Sequence, residues 1–438
     1  MTGKIVELGV GVGKLAGAVG AKSDGDRWTL PLCGSLAFLT LISMFNFLDR
    51  SLLGLVLPLI KADLALSDTA LGLISGLAFA LFNSLLGVPI ASFADRSNRR
   101  NIVGIGFAFW SLMTALTAFV ANGWQLAICR FLMGAGEAAG SAPSQSIIAA
   151  RFSEAQRPLA ISIFTASTAL SALIFMPAAG WVASAYGWRA AFLASGAMGV
   201  VLAGLFFLVV KEPTRARPVG VAKPASVPML GAITMLVSIP AYRWLLGGAA
   251  FMGGALYSMA TWLTAMLVRV HALSIVEVAS IVTPLGGVAG LFGIIGTGWV
   301  ADRLGRRDAR WRLWVPALIC FICVPGYVAF LLSDNWLIWV TGLAVVFALQ
   351  GAYQGPAYAA CLTIAPEPMR AISISVPVLC SGLAGQIFGP LIVGMLNDGL
   401  MSRFGDEAIR YSLLVPAACT FMGGLCFLAA SFCRARTA

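Results

Sequence analysis

Asn46-Phe47-Leu48-Asp49-Arg50 lies in the middle of an apolar run from Leu30 to Pro58. Leu36-Ala-Phe-Leu-Thr-Leu-Ile precedes it and Leu52-Leu-Gly-Leu-Val-Leu follows. The run is longer than the roughly 20 residues that a membrane-spanning helix needs. An Asp or Arg at the centre of such a helix costs about 2.5–3.5 kcal/mol on insertion scales. Ionisable groups at that depth point to proton transfer or to a charged solute, with partners on other helices. A second pair follows. Arg130 and Glu137 are seven residues apart and share one helix face, two turns apart. Gly134 and Ala138 share that face, where small residues let another backbone approach. At 1.5 Å per residue, Asp49 lies roughly 18 Å below Lys61 and Glu137 roughly 20 Å below the interfacial Trp124. Arg130 is shallower, roughly 9 Å below Trp124.

Two arginines and two carboxylates make a neutral set. One reading is a fixed salt-bridge network that holds register. The other is proton coupling through Asp49 and Glu137, because moving an Arg near a buried carboxylate alters its hold on a proton. Arg130 presents a guanidinium fork that suits a carboxylate or phosphate.

Only 11% of the 438 residues are charged, 59% are hydrophobic and the mean hydropathy is +0.91. A soluble chain carries about 25% charged residues. The composition is that of a polytopic helical membrane protein. The net charge of +11 is read as the basic bias of cytoplasmic loops, not as a nucleic-acid surface. Cys320 and Cys323 form a C-x-x-C inside an apolar run and read as small buried hydrophobes. The lone histidine, His271, reads as an exposed loop-edge residue. Gly9, Gly11, Gly13 and Lys14 lack the Gly and Ser/Thr positions of a phosphate loop, so a nucleotide-driven pump is excluded. No Ser/His/Asp set or metal cluster suggests an enzyme, and no cofactor is expected.

The elements that would position these residues are about twelve apolar runs, near 30–58, 69–93, 101–121, 124–150, 158–183, 189–210, 243–268, 276–300, 312–332, 335–364, 371–397 and 411–433. Lys and Arg concentrate in the loops that share a side with both termini, leaving Lys61, Arg189, Arg269, Arg403 and Arg410 opposite. The bias places both termini in the cytoplasm. The domains read as a cytoplasmic tail 1–29, a six-helix half 30–210, a cytoplasmic linker 211–242, a second six-helix half 243–433 and a tail 434–438. Within the linker, Met229-Leu-Gly-Ala-Ile-Thr-Met-Leu has the pattern of a short surface helix.

The halves repeat. Pro143 and Arg157 recur as Pro356 and Arg370, an offset of 213, and Ile174-Phe-Met-Pro177 recurs as Ile387-Phe-Gly-Pro390. At that offset Arg130 and Glu137 become Leu343 and Gln350, so the charges belong to one half alone. Ala94-Asp95-Arg96 with Arg99-Arg100 recurs as Ala301-Asp302-Arg303 with Arg306-Arg307. Paired halves with a site between them near the midplane are the transporter pattern.

These loops resemble the signature Gly-x-x-x-Asp-Arg-x-Gly-Arg-Arg of the major facilitator superfamily. Gly298, Asp302, Arg303, Gly305, Arg306 and Arg307 match it in full, while the first copy has Ala91 and Asn98 in place of Gly. Asn46-Phe-Leu-Asp49-Arg50 and Arg130-Phe-Leu-Met-Gly-Ala-Gly-Glu137 are similar to motifs of the spinster-like branch and its bacterial relatives. The resemblance implies an all-α membrane protein with twelve transmembrane helices in two pseudo-symmetric halves. It implies that the signature aspartate meets a helix N-terminus of the other half and stabilises an outward-open state, a favourable dipole contact. Asp95, Arg96, Arg99, Arg100, Asp302, Arg303, Arg306 and Arg307 are the gating candidates. Asn46, Arg50, Arg130, Tyr257, Gln350, Tyr353, Gln354 and Tyr358 are the substrate candidates; Gln350, Gln354 and Tyr358 step by four and would share a face.

The expectation is a secondary active transporter, driven by a proton gradient, for an anionic or zwitterionic amphipathic solute. The alternatives are a proton symporter of small organic anions such as sugar acids or aromatic acids, and an uncoupled lipid scramblase or receptor. The expected setting is a monomer in a bacterial inner membrane. Its partners are lipids and a small-molecule or lipid-like substrate.

Overall fold

The computed structural model describes residues 28–81, 83, 86, 89–90, 97–153, 156–212, 229–308, 310–366 and 369–435. Asp95 and Arg96, the terminal tail before Trp28 and most of the linker lie outside them. Within the described residues every regular element is a helix. A chain this apolar has few alternatives in lipid, since each backbone N–H and C=O must find its partner within the segment.

The helices that matter are α1 (Leu30–Leu55), α2 (Asp68–Leu81), α3 (Arg99–Phe119), α4 (Gly123–Glu137, continued as Ser141–Arg151), α5 (Arg157–Tyr186) and α6 (Trp188–Val209). The second half repeats the order with α7 (Pro240–His271), α8 (Ile275–Gly305), α9 (Trp311–Leu332), α10 (Trp336–Leu349, continued as Gln354–Ile364), α11 (Arg370–Phe404) and α12 (Leu414–Ala435). Nine stretches of the described residues are long and apolar enough to cross a membrane, the last of them, Ile372–Cys433, holding both α11 and α12. This is consistent with the twelve-helix arrangement. Leu208, Phe292 and Phe432 point outward, where lipid rather than water suits them.

The repeat is carried by helix ends. α4 and α10 start at 123 and 336, resume at 141 and 354, and stop at 151 and 364, each pair 213 apart. Pro177 and Pro390 stand inside α5 and α11 at the same offset. A second repeat, offset by 207, lies before α2 and α8. Ala65-Leu66-Ser67 and Ala272-Leu273-Ser274 each turn the chain through an alanine in the left-handed region, at φ 48° and 54°. In each, the serine then accepts a hydrogen bond from the new helix, from Ala70 N at 3.1 Å and Glu277 N at 3.2 Å.

Two linker boundaries shift. The expected surface helix runs Met229–Ser238, and its Ala232 and Leu236 are fully buried against the second half, so it is docked onto the bundle. α7 begins at Pro240, three residues before the expected start of the second half at 243; Pro suits a first helical turn because its missing N–H has no helical partner there.

The halves meet along α1–α7, α2–α11 and α5–α8. The closest approach is between α2 and α11. A Cβ added to Gly72 would strike the carbonyl of Pro390, and one on Gly76 the carbonyl of Gln386. Gly394 meets the Asp68 carbonyl in the same way. Glycine here permits backbone contact that no side chain would allow.

An ionic cluster closes this end. Asp398 of α11 accepts from the Asp68 and Thr69 backbone N–H groups at 3.0 and 2.8 Å, and from Thr69 Oγ1 at 2.6 Å. Arg269 of α7 grips the Asp68 carboxylate with two hydrogen bonds, at 2.8 and 3.0 Å, and Lys61 joins at 2.7 Å. Asp68 is buried.

Candidate functional site

Between the halves lies a cavity of about 270 Å³. Its walls come from α1 (Phe47, Arg50, Gly54), α2 (Ser75, Gly76, Phe79), α4 (Arg130), α7 (Tyr257, Thr261) and α11 (Gln386, Pro390), among others. Both arginines on its wall come from the first half.

Arg50 and Glu137 form a short ion pair, Nε to Oε2 at 2.6 Å, and the same oxygen accepts from Asn46 Nδ2 at 2.9 Å. Asn46 and Arg50 are one turn apart on α1, so both reach one carboxylate on α4. The Glu137 side chain is fully buried, whereas that of Arg50 is 35% exposed and opens onto the cavity. Glu137 Oε1 has no partner among the described residues.

Asp49 faces away from Arg50. Its Oδ1 accepts from Ser195 Oγ of α6 at 2.9 Å, and its Oδ2 has no partner among the described residues. Successive residues on a helix point about 100° apart, so Asp49 turns toward α6 while Arg50 turns toward α4.

Arg130 is buried and donates from Nη1 to the Asp49 backbone carbonyl at 3.2 Å and to Met133 Sδ at 3.3 Å. Its Nε has no partner among the described residues. No carboxylate oxygen accepts a hydrogen bond from it among those residues. Both guanidinium groups lie over the Phe79 ring, Arg50 at 5.0 Å and Arg130 at 5.2 Å from its centroid. Such contacts hold a desolvated cation without neutralising it. Phe79 follows directly on a π-helical turn, Ile74–Ala78, a local widening that occurs often at functional sites.

The second half supplies fewer of the expected contacts. Tyr257 is on the wall. Gln350 and Tyr353 are not. α10 breaks between Leu349 and Gln354, so the expected face of Gln350, Gln354 and Tyr358 is not continuous. Gln350 is buried and donates to the Tyr327 hydroxyl at 2.7 Å, while Tyr353 is fully buried beside Phe427. Gln354 and Tyr358 are half-buried on the second piece of α10, away from this wall. His271 is half-buried and stacked on Trp339 at 4.3 Å, not an exposed loop residue. Cys320 and Cys323 are buried with free thiols.

Among the described gating candidates, Asp302, Arg303, Arg306 and Arg100 have contacts within their own halves. Asp302 pairs with Arg306, just past the end of the same helix, at 2.8 Å, and both are exposed. Arg303 lies over Trp299, and Arg307 is exposed. Arg99 and Arg100 donate backbone N–H groups to Glu212, and the Arg100 side chain donates to the Phe207 carbonyl. Among the described residues Asp302 makes no ion pair or hydrogen bond with the other half, whereas the Asp68 end is shut by contacts between the halves.

Ser195, Phe79, Gln386 and the Asp68–Arg269–Asp398 cluster were not singled out in the sequence. Balancing the five basic residues of the far side against their acids would have flagged Asp68 and Asp398. Gln386 stands out only as a lone polar residue in a Gly-rich apolar stretch.

The chain belongs to the Major Facilitator Superfamily, which matches residues 39–390. It is 32% identical over 414 residues to an MFS-type efflux pump of Mycolicibacterium smegmatis (strain ATCC 700084 / mc(2)155), covering 94% of each chain. It is 30% identical over 281 residues to a hexuronate transporter of Bacillus subtilis (strain 168), covering 63% of this chain and 65% of that one. Its fold matches the crystal structure of a bacterial homolog to the human lysosomal transporter spinster, inward-facing and unoccupied. The TM-score is 0.83 at 24% identity, over 94% of this chain and 99% of that one. The protein is a multi-pass membrane transporter and not an enzyme.

Proposed function

We propose that the chain moves an organic anion by alternating access and couples that movement to protons. The observation that carries this is Arg130, a buried cation on the cavity wall with no hydrogen bond to a carboxylate among the described residues. A guanidinium so placed is completed by an anionic ligand whose two oxygens match its fork. Arg50, half committed to Glu137 and half open to the cavity, is the second contact. Ligand arrival draws Arg50 from Glu137, and Glu137 and Asp49 are the proton carriers. Asp49 keeps one oxygen on Ser195 and has the other free to take a proton.

The cavity holds about nine water volumes of roughly 30 Å³. A compact acid fits it whole, as does the hexuronate named for the relative. A lipid-like anion is the second reading, favoured by the apolar lining of Phe47, Leu53, Leu256 and Pro390. With both termini cytoplasmic, as the charge bias predicts, the Asp302 end faces the cytoplasm of a bacterial cell. No bound cofactor is required, and the chain acts as a monomer.

The test is binding and transport in proteoliposomes. Arg130→Lys keeps the charge and loses the fork, so affinity for anionic ligands is expected to fall about tenfold, and Arg130→Ala to lose more. Arg130→Lys with wild-type affinity for every anion tried would refute the substrate-anion reading. Asp49→Asn is expected to lose proton-driven uptake while keeping substrate exchange. Unchanged proton-driven uptake would remove Asp49 from the coupling, and a wild type indifferent to the proton gradient would favour the uncoupled reading.

A further inference from the structure

Gln386 lines the cavity, and one atom of its side chain lacks a partner among the described residues. Gln386 of α11 is 7% exposed, and its Oε1 has no hydrogen-bond partner among the described residues. A buried acceptor left without a donor is costly, so native proteins leave few of them. The position is also fixed. The Gln386 backbone sits against Gly76, where a Cβ would strike its carbonyl, and the Pro390 carbonyl one turn on accepts from Trp262 Nε1 at 3.0 Å. The backbone is clamped from both sides while the side-chain oxygen lacks a donor.

We infer that Gln386 Oε1 accepts a hydrogen bond from a hydroxyl group of the transported anion, making it a specificity-determining contact supplied by the second half. This rests on the anion reading of Arg50 and Arg130 and adds to it. A carbonyl oxygen only accepts, so the ligand brings the proton. Two guanidinium groups on the same wall disfavour an ammonium donor, and a quaternary ammonium has no N–H to give. A neutral hydroxyl meets both conditions. In a cavity of about 270 Å³ the hydroxyl and the anionic group belong to one compact molecule. The ligand then touches both halves, Arg130 through its anion and Gln386 through its hydroxyl.

The test uses the full chain in detergent, with D-glucuronate as a hydroxylated probe and cyclohexanecarboxylate as a ring acid without hydroxyls. Calorimetric affinities are compared for wild type and Gln386→Leu, with melting temperature as the folding check. Gln386→Met, unbranched and close in shape, serves if the leucine variant is unstable. Wild type is expected to favour D-glucuronate, and the variant to lose about tenfold or more on that probe alone. Equal weakening on both acids would make Gln386 a packing residue and overturn the inference. No change on either would overturn it too, leaving the anion reading to stand on Arg130→Lys with the same two probes. If wild type binds neither acid, this inference is overturned, while the anion reading is decided separately by Arg130→Lys with lipid-like anions.

Discussion

At one end of the bundle, Asp398 of α11 receives two backbone N–H groups from the first turn of α2. At the other, Asp302 of α8 turns to Arg306 just past the end of its own helix, with no ion pair to the opposite half among the described residues. Both are acids suited to the positive end of a helix in the opposite half. One contact is made and the other is not. A carrier of this kind must never hold both ends open. In the proposed cycle Asp302 would find a helix N-terminus of the first half as Asp398 leaves that of α2, and the two closures would be alternatives.

The largest disruption of that contrast is expected at Asp68. Asp68→Asn removes the pairs to Arg269 and Lys61 while leaving the backbone N–H groups for Asp398. The loss lies between about 1 kcal/mol for an exposed pair and about 3–5 for a buried one. A loss of about 2 kcal/mol shifts the population about thirtyfold toward opening at this end. Spin-label distances between the Lys61 and Met401 regions report it, and an unchanged distribution would detach the cluster from gating.

Gly76→Ala comes next. The added methyl meets the Gln386 carbonyl, and overpacking of this kind costs about 1–3 kcal/mol. The same labels are expected to show the Asp68 end displaced outward, and a second pair on the Asp302 end to show it drawn together. If the Asp302 end stays as it is, the two closures are independent and the comparison is broken.

The smallest effect is expected from Asp302→Asn. The contact it would lose is absent from this conformation, so the structure described here is expected to be unaffected. The opposite state loses about 0.3–1 kcal/mol of dipole contact, a shift of up to about fivefold toward the present one. A melting temperature lowered in the present state would show that Asp302 already supports it.

Helix content and the repeat were legible because period and hydropathy alone determine them. Pro143 and Pro356, Arg157 and Arg370 fall where the structure repeats. The charged residues of α1 and α4 were legible because ionisable groups are so rare in these runs. Their pairing was not. Whether Asp49 or Arg50 turns toward Glu137 depends on how α1 and α4 are rotated about their own axes. Gln350 was misplaced for a related reason, since a break in α10 cancels the spacing argument. The closure at the Asp68 end was not legible either, because one sequence encodes every state of the cycle and periodicity is the same in each.

Pro390 stands between Gln386 and Asp398 on α11. Its ring has no N–H for the carbonyl four residues back, which is that of Gln386, so the helical ladder has a missing rung there. Beyond that joint, eight residues make a rigid arm of roughly 12 Å to Asp398. A bend of about 10° at the joint carries the tip roughly 2 Å, enough to pull apart hydrogen bonds of 2.8 and 3.0 Å. The wall that holds a solute and the lock that holds the far end shut are thus mounted on one jointed beam.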